Sequence, residues 1–277
     1  MSKSGLIGRA ILASRSPWLH EQEARAAGFD LRYTLFDFDA RHLDDDALPG
    51  LLGQLRDQGY AGVNVTYPFK QAVIPHLDAL ADSAQAVGAV NTIAMRDGRM
   101  TGHNTDMTGF RDSLRDGLPD ARLDRVLQFG AGGAGAAVAT ALLSSGVRRL
   151  ELSDVDAARA EALAASLTSR FDAEVVVRRA GDHDTHMIDG IVNASPVGMK
   201  TKPGMPIAAQ HLDPRLWVAD IVYFPRETEL LRTARTLGCA TLDGSGMVIR
   251  QAAAAFEIIT GRSADIARMA TSFEAAS

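Results

Sequence analysis

One cysteine in 277 residues, Cys239, excludes an internal disulfide and leaves no basis for a cysteine metal site. Its apolar neighbours predict a buried bystander. The seven histidines show no ligand-like spacing, so a metal hydrolase has no support. No apolar run approaches the roughly 20 residues that a membrane-crossing helix needs. The first apolar stretch, Gly5 to Ala13, is short and interrupted by Arg9, which is not the pattern of a secretion signal. The Asn-x-Ser/Thr matches at Asn64 and Asn193 are then coincidental, and the expectation is a cytoplasmic protein. Excess positive charge is also missing. A net charge of −5 argues against nucleic acid or an anionic membrane as the main partner. There is no internal repeat.

What remains is an ordinary globular composition, 46% hydrophobic and 23% charged, on a chain long enough for two domains. Its most informative stretch is Arg125 to Val138 (RVLQFGAGGAGAAV). The apolar run Val126 to Phe129 predicts a buried strand. It breaks at the glycine turn Gly130, Ala131, Gly132, Gly133, Ala134, Gly135, and an Ala-rich helix follows to about Gly146. Strand, glycine turn and helix in that order make the GxGxxG pattern a useful signal. Glycine lets the backbone approach a pyrophosphate, and the free N–H groups of the helix start face its charge. A second strand, Arg149 to Ser153, ends at Asp154, about 20 residues past the last glycine, where an acid meets the adenosine ribose. A ligand-free glycine turn is the bland alternative, and the placement of Asp154 weighs against it.

Before that turn, strand-like and helix-like stretches alternate. Strands are expected at Gly5–Ala10, Leu31–Phe38 and Ala61–Thr66. Helices are expected at Pro17–Ala27, with Ser16 as cap, and at Asp46–Gln58. Further helices should cover Gln71–His76 and Ala79–Val87. Asp97-Gly98 between strand-like flanks predicts a hairpin. A helix then leaves Asp106 and ends near Gly117. Beyond it, strands at Val126–Phe129, Arg149–Ser153, Glu174–Val177, Gly190–Asn193, Trp217–Val222 and Ala240–Leu242 alternate with helices starting near Gly132, Asp156, Asp182 and Arg226. This is α/β with a doubly wound parallel sheet. The chain from Ser245 on reads as helical.

A dinucleotide domain beside a second α/β domain predicts a cleft for substrate. Polar residues at strand ends are its candidates: Ser14, Ser16, Asn64, Thr66, Lys70, Asn91, Asp106 and Gln251. Singly, each has a bland explanation: a helix cap for Ser16, solvated charges for Lys70 and Asp106, a turn former for Asn91. Their joint placement at junctions shifts the balance. Removing a hydroxyl proton as hydride leaves is work that a lysine with a carboxylate partner can do. Between such partners the proton is assigned to neither alone.

Ser14–Pro17 (SRSP), Gly62–Lys70 (GVNVTYPFK), Gly88–Thr92 (GAVNT) and Asn104–Asp106 (NTD) resemble successive motifs of the shikimate/quinate dehydrogenase family. So do Gly130–Gly135, Asn193–Ser195, Asp220–Tyr223 and Gly244–Gln251. The match is collinear over nearly the whole chain. The resemblance implies reversible oxidation of a ring hydroxyl of shikimate or quinate to the ketone, with hydride passing to a nicotinamide. It implies Lys70 and Asp106 as the catalytic pair and Ser14 and Ser16 as holders of the substrate carboxylate. Thr66, Asn91, Tyr223 and Gln251 would line the polyol site. Gly130–Ala134, Asp154, Arg159, Asn193, Ser195, Val222, Gly244 and Met247 would bind cofactor, Met247 beside the nicotinamide. The implied domains are a substrate domain at 1–106, a Rossmann domain at 107–246, and helices at 247–277 that return to the first. Partners are the small-molecule substrate and, at most, a second copy, so monomer or homodimer. Departures are Ala13, where the family often has histidine, and Phe224, where it often has asparagine.

Asp154 and Asp156 stand where the NADP-using branch typically shows Asn-Arg-Thr. A carboxylate accepts from both ribose hydroxyls but repels a 2′-phosphate, by about 3 kcal/mol at ~5 Å and an effective dielectric of ~20. Screened, that still predicts roughly tenfold preference for NAD over NADP, with Arg159 placed to stack on adenine or to offset Asp154. The NAD-dependent quinate/shikimate branch is the nearest match. Two readings stay open: a related oxidoreductase with another polyol acid, and a non-catalytic NAD-binding sensor on the same fold.

Overall fold

The computed structural model describes residues 1–179, 181–182 and 184–275. Two compact units emerge, Met1–Asp106 together with the chain from Ile249 onward, and Met107–Val248.

The first unit runs β1 (Ser2–Gly8), α1 (Ser16–Ala26), β2 (Leu31–Asp37), α2 (Leu48–Asp57), β3 (Gly62–Val65), α3 (Phe69–Ala72), β4 (Ala79–Leu80), α4 (Asp82–Val87), β5 (Thr92–Arg96) and β6 (Arg99–His103). The sheet order is β2-β1-β3-β5-β6-β4. β1 lies parallel to both β2 and β3, and β5 runs antiparallel to β3 and β6. Leu48, Leu51, Leu52 and Leu55 recur at helical spacing on α2 and fill one core with Ile7, Phe36, Phe38, Val63, Val65 and Phe69. Asp97 (φ 51°) and Gly98 (φ 75°) both adopt the left-handed conformation that a two-residue hairpin turn demands.

Two local expectations are corrected here. Ser16 is the first residue of α1 and not its cap; its N–H instead donates to Ser14 Oγ at 3.3 Å. Ala79–Leu80 is no helix but an edge strand beside Thr101 and Gly102. Gly102 offers no side chain there, and a Cβ on it would come 2.6 Å from Leu77 and 3.0 Å from Leu80. Helix α4 starts only at Asp82.

The second unit holds α5 (Asp106–Gly117, all but its first residue), β7 (Arg125–Phe129), α6 (Gly133–Ser144), β8 (Arg149–Ser153), α7 (Ala157–Thr168), β9 (Glu174–Val177), β10 (Gly190–Asn193), β11 (Trp217–Asp220), α8 (Glu229–Thr236) and β12 (Ala240–Leu242). All neighbours are parallel in the order β12-β11-β10-β7-β8-β9. This is the Rossmann order, with its switch point between β7 and β10. Residues 126–129, 190–193 and 217–220 are all buried, as expected for strands covered on both faces. β11 stops at Asp220, short of Val222, because the Asp220 carboxylate turns back to accept the Val222 N–H at 3.0 Å. Among the described residues between β9 and β10 there are turns and no helix near Asp182. Helix α8 starts at Glu229, later than Arg226, with Thr228 as its cap.

α9 (Ser245–Thr260) continues into the first unit, followed by α10 (Ile266–Ala275). Glu23, 1% exposed on α1, clamps α10. It accepts from Arg268 at 2.6 and 2.8 Å and from the Asp265 N–H at 2.8 Å. Among the described residues, no helix is long and apolar enough to cross a membrane.

Candidate active site

In the first unit, β3 delivers Lys70 to the second position of α3, and β6 delivers Asp106 to the start of α5. Lys70 Nζ lies 2.6 Å from Asp106 Oδ2, with side chains 15% and 8% exposed. This is no pair of solvated surface charges. Asn91 fixes the approach to it. Its Oδ1 accepts from Thr105 N–H at 2.9 Å and its Nδ2 donates to Thr105 Oγ1 at 2.9 Å, immediately before Asp106. The Val90 N–H binds the Lys70 carbonyl at 2.7 Å, which ties the other partner to the same segment. Asn104 donates to the Ala89 carbonyl at 2.9 Å and so braces the loop as well. Thr66 is half-buried between β3 and α3; a Cβ on Gly8 would meet its methyl at 2.5 Å, so the glycine makes room for it.

Ser14 Oγ donates to Ser16 Oγ at 3.1 Å, both half-buried. The loop carrying Ser14 is held by Asp37, which accepts the Ile11 N–H at 2.7 Å. Burial raises the Asp37 carboxyl, but the N–H groups of Ile11, Ala40, Asp39 and Ala10 together bring it below its ordinary value. Behind the serines, the Tyr33 hydroxyl donates to Asn64 Oδ1 at 2.8 Å, and Asn64 Nδ2 reaches Thr92 Oγ1 at 3.0 Å. Burial pushes the Tyr33 phenol up, with a hydrogen bond to Ser16 as the smaller, opposing influence. His20 stacks on Tyr33 at 4.7 Å, and burial lowers it to about 4, so it is neutral at pH 7. Gln251 lies half-buried on α9 in this unit.

In the second unit, the candidates gather at the carboxyl ends of four strands. Gly130 (φ +98°) follows β7 directly, and a Cβ on it would stand 2.6 Å from the Ala194 carbonyl. Gly132 occupies the N-cap of α6, with Gly133 and Ala134 half-buried after it. Asp154 follows β8 directly, and its two oxygens accept from the N–H groups of Ala131 at 2.7 Å and Asp156 at 2.9 Å. Arg159 Nη2 lies 3.3 Å from Asp156, and its Nη1 lies 3.9 Å from Asp154. Asn193 ends β10, accepts from Ser195 Oγ at 2.7 Å and donates to Asp220 at 2.9 Å. Asp220 also accepts from Val222 N–H at 3.0 Å and Thr228 Oγ1 at 2.7 Å, and burial lifts it to about 6. Gly244 approaches the Ile221 carbonyl, 2.5 Å from where a Cβ would be, and Met247 packs near Asp220 and Ile221. Tyr223, also in this unit, is 44% exposed. Cys239 is buried and free, as expected.

The sequence reading missed Tyr33, His20, Asp37, Asp220 and Gln128 as parts of these sites. Only for the last two was a signal available, a polar residue inside an otherwise apolar buried strand. Among the described residues, no group of His, Cys, Asp or Glu is arranged to hold a metal.

Glycines at close backbone approaches, a free helix start and an acid at the tip of the second strand fit a dinucleotide. With a lysine–carboxylate pair on the other unit, they define a nicotinamide-linked oxidoreductase acting on a CH–OH group. Comparison with known proteins agrees. Residues 6–93 match the model of the shikimate dehydrogenase substrate binding domain, and residues 244–271 that of the shikimate 5′-dehydrogenase C-terminal domain. The chain is 52% identical over 268 residues to the shikimate dehydrogenase (NADP(+)) of Streptomyces avermitilis, covering 96% of this chain and 92% of that one. It is 45% identical over 273 residues to the quinate/shikimate dehydrogenase (NAD(+)) of Corynebacterium efficiens, covering 97% and 96%. The solved quinate dehydrogenase from Corynebacterium glutamicum in complex with NAD matches with a TM-score of 0.92 at 44% identity, over 99% of both chains. The chain belongs to the shikimate dehydrogenase family.

Proposed function

We propose that this protein is an NAD-dependent dehydrogenase that interconverts shikimate, quinate or both with the corresponding 3-dehydro ketone. The observation that carries the reading is the 2.6 Å contact between Lys70 and Asp106, sequestered and braced by Asn91 and Thr105. In oxidation, the ring hydroxyl gives its proton to the Lys70/Asp106 pair as the C–H bond releases hydride. NAD supplies the hydride acceptor when bound. Ser14 and Ser16 donate to the substrate carboxylate, and Thr66, Asn91, Tyr223 and Gln251 contact the ring hydroxyls.

Residues 1–106 form the substrate side and 107–246 the dinucleotide side, with the helices of 247–277 belonging to the former. The turn Gly130–Ala134 takes the pyrophosphate. Asn193, Ser195, Val222, Gly244 and Met247 serve the nicotinamide end. The protein acts in the cytoplasm, as monomer or homodimer. NAD preference rests on Asp154 and Asp156, whose carboxylates face a 2′-phosphate with repulsion. Arg159 reduces that repulsion, and the Streptomyces avermitilis relative is named for NADP, so cofactor choice is the point to measure.

Absorbance at the NADH wavelength, followed with shikimate and quinate against NAD and NADP, tests the whole reading. Turnover of either acid is expected, with kcat/KM for NAD at least about tenfold above NADP. Silence with both acids would leave a sensor or another polyol acid. Equal kcat/KM with NADP would overturn the NAD assignment alone. For Lys70→Ala, a raised KM at nearly unchanged kcat would remove the lysine from the chemical step.

A further inference from the structure

The glycine turn is gripped by a residue with no exposed surface of its own. Gln128 is fully buried in β7, on the strand face toward α6, among apolar neighbours. Its Nε2 donates to the Gly130 carbonyl at 2.8 Å and to the Gly135 carbonyl at 2.9 Å. Both partners are acceptors only, so the amide has one possible orientation. Its Oε1 is left buried with no hydrogen-bond partner. An orphaned buried acceptor is destabilising, and an apolar side chain of the same shape would avoid it. Gln128 is therefore not explained by packing; what distinguishes it is the pair of carbonyls it holds.

Those carbonyls govern the turn. The peptide between Gly130 and Ala131 is planar, with its C=O and N–H on opposite sides. Gln128 holds the C=O end, and Asp154 Oδ2 holds the N–H end at 2.7 Å. One peptide plane is thus clamped between a side chain from the middle of β7 and the acid at the tip of β8. The second bond, to Gly135, ties the same amide to the first turn of α6. That junction is already tight, because a Cβ on Gly135 would lie 2.3 Å from the Gly130 carbonyl.

We propose that Gln128 is a positioning residue for the dinucleotide. It sets the Gly130–Ala131 peptide, and through that peptide it orients both the turn that meets the pyrophosphate and the Asp154 carboxylate that meets the ribose. The inference rests on the reading of this turn as the dinucleotide site.

Gln128→Met tests it, since methionine keeps length and volume and removes both donors. Calorimetric binding of NAD and NADP to the wild type comes first; if neither binds, the functional reading fails and this inference with it. If NAD binds, its Kd is expected to rise about tenfold in the variant. The KM for NAD should rise in parallel, while the KM for shikimate or quinate and kcat at saturating NAD stay within about twofold, a split that a general loss of structure does not produce. Asp154→Ala should weaken NAD binding less in the Gln128→Met background than in the wild type, because the two residues act on one peptide. Unchanged NAD affinity in a folded Gln128→Met protein would overturn the proposal, as would independent, multiplicative effects of the two substitutions. Should Gln128→Met not fold, Gln128→Leu replaces it in the same measurements.

Discussion

Lys70 and Asp106 are ordinary residues until the chain folds; 36 positions separate them, and only folding buries them within 2.6 Å of each other. Asp106→Asn keeps the shape and removes the charge, and kcat is expected to fall by about 10²-fold or more in initial-rate assays. Two other buried groups make the fold sensitive to acid in opposite directions. His20 sits at about 4, below its ordinary 6.5. The unfolded chain takes up the proton first, so this stability is present above pH 6.5 and lost as pH falls toward 4, by about 3 kcal/mol. Asp220 sits at about 6, above its ordinary 3.8. Its contribution is full below pH 3.8 and lost as pH rises through 6, again by about 3 kcal/mol. Chemical denaturation between pH 4 and 7 is expected to show opposite slopes in two variants. His20→Leu should gain stability toward acid relative to wild type, and Asp220→Asn should lose it. Parallel slopes would show that neither group titrates as its burial indicates.

Among the elements, two junctions carry the most consequence. The β7-turn-α6 junction depends on absent side chains, since a methyl at Gly135 would collide with the Gly130 backbone at 2.3 Å. Backbone cannot swing aside as a flexible side chain can. Gly135→Ala should push α6 off β7 and weaken NAD binding by about tenfold or more, measurable as Kd, with less effect on substrate KM. The second junction is the docking of α10 on α1 through Glu23, which is 1% exposed and accepts three hydrogen bonds from the α10 segment. Glu23→Ala is expected to lower stability by about 1–3 kcal/mol and to open the chain beyond Arg262 to trypsin. An unchanged digestion pattern would show that apolar packing of Met269 and Phe273 suffices to hold the helix.

At the scale of the whole molecule, cofactor preference is a difference in binding free energy and can be read without turnover. NAD at 100 times its Kd is expected to stabilise the protein by about 2.7 kcal/mol, seen as a rise in melting temperature. NADP at the same concentration should produce a smaller rise. Equal shifts would mean that Arg159 cancels the repulsion from Asp154 and Asp156.

Much of this was legible in the residues alone. Short stretches rich in Val, Leu and Ile marked the strands of the second unit, and glycines marked the turn where only a bare backbone fits. The spacing from that turn to Asp154 placed the acid, because each depends on neighbours in the chain and on strand and helix geometry. The resemblance pointed to Lys70 and Asp106. Only the tertiary structure joined them at 2.6 Å, clamped one peptide between Gln128 and Asp154, and buried Glu23 against a helix 245 residues away. Such contacts form between side chains distant in sequence, where no periodicity records the partner. Their strength comes from exclusion of water, which a residue acquires only when the fold closes around it.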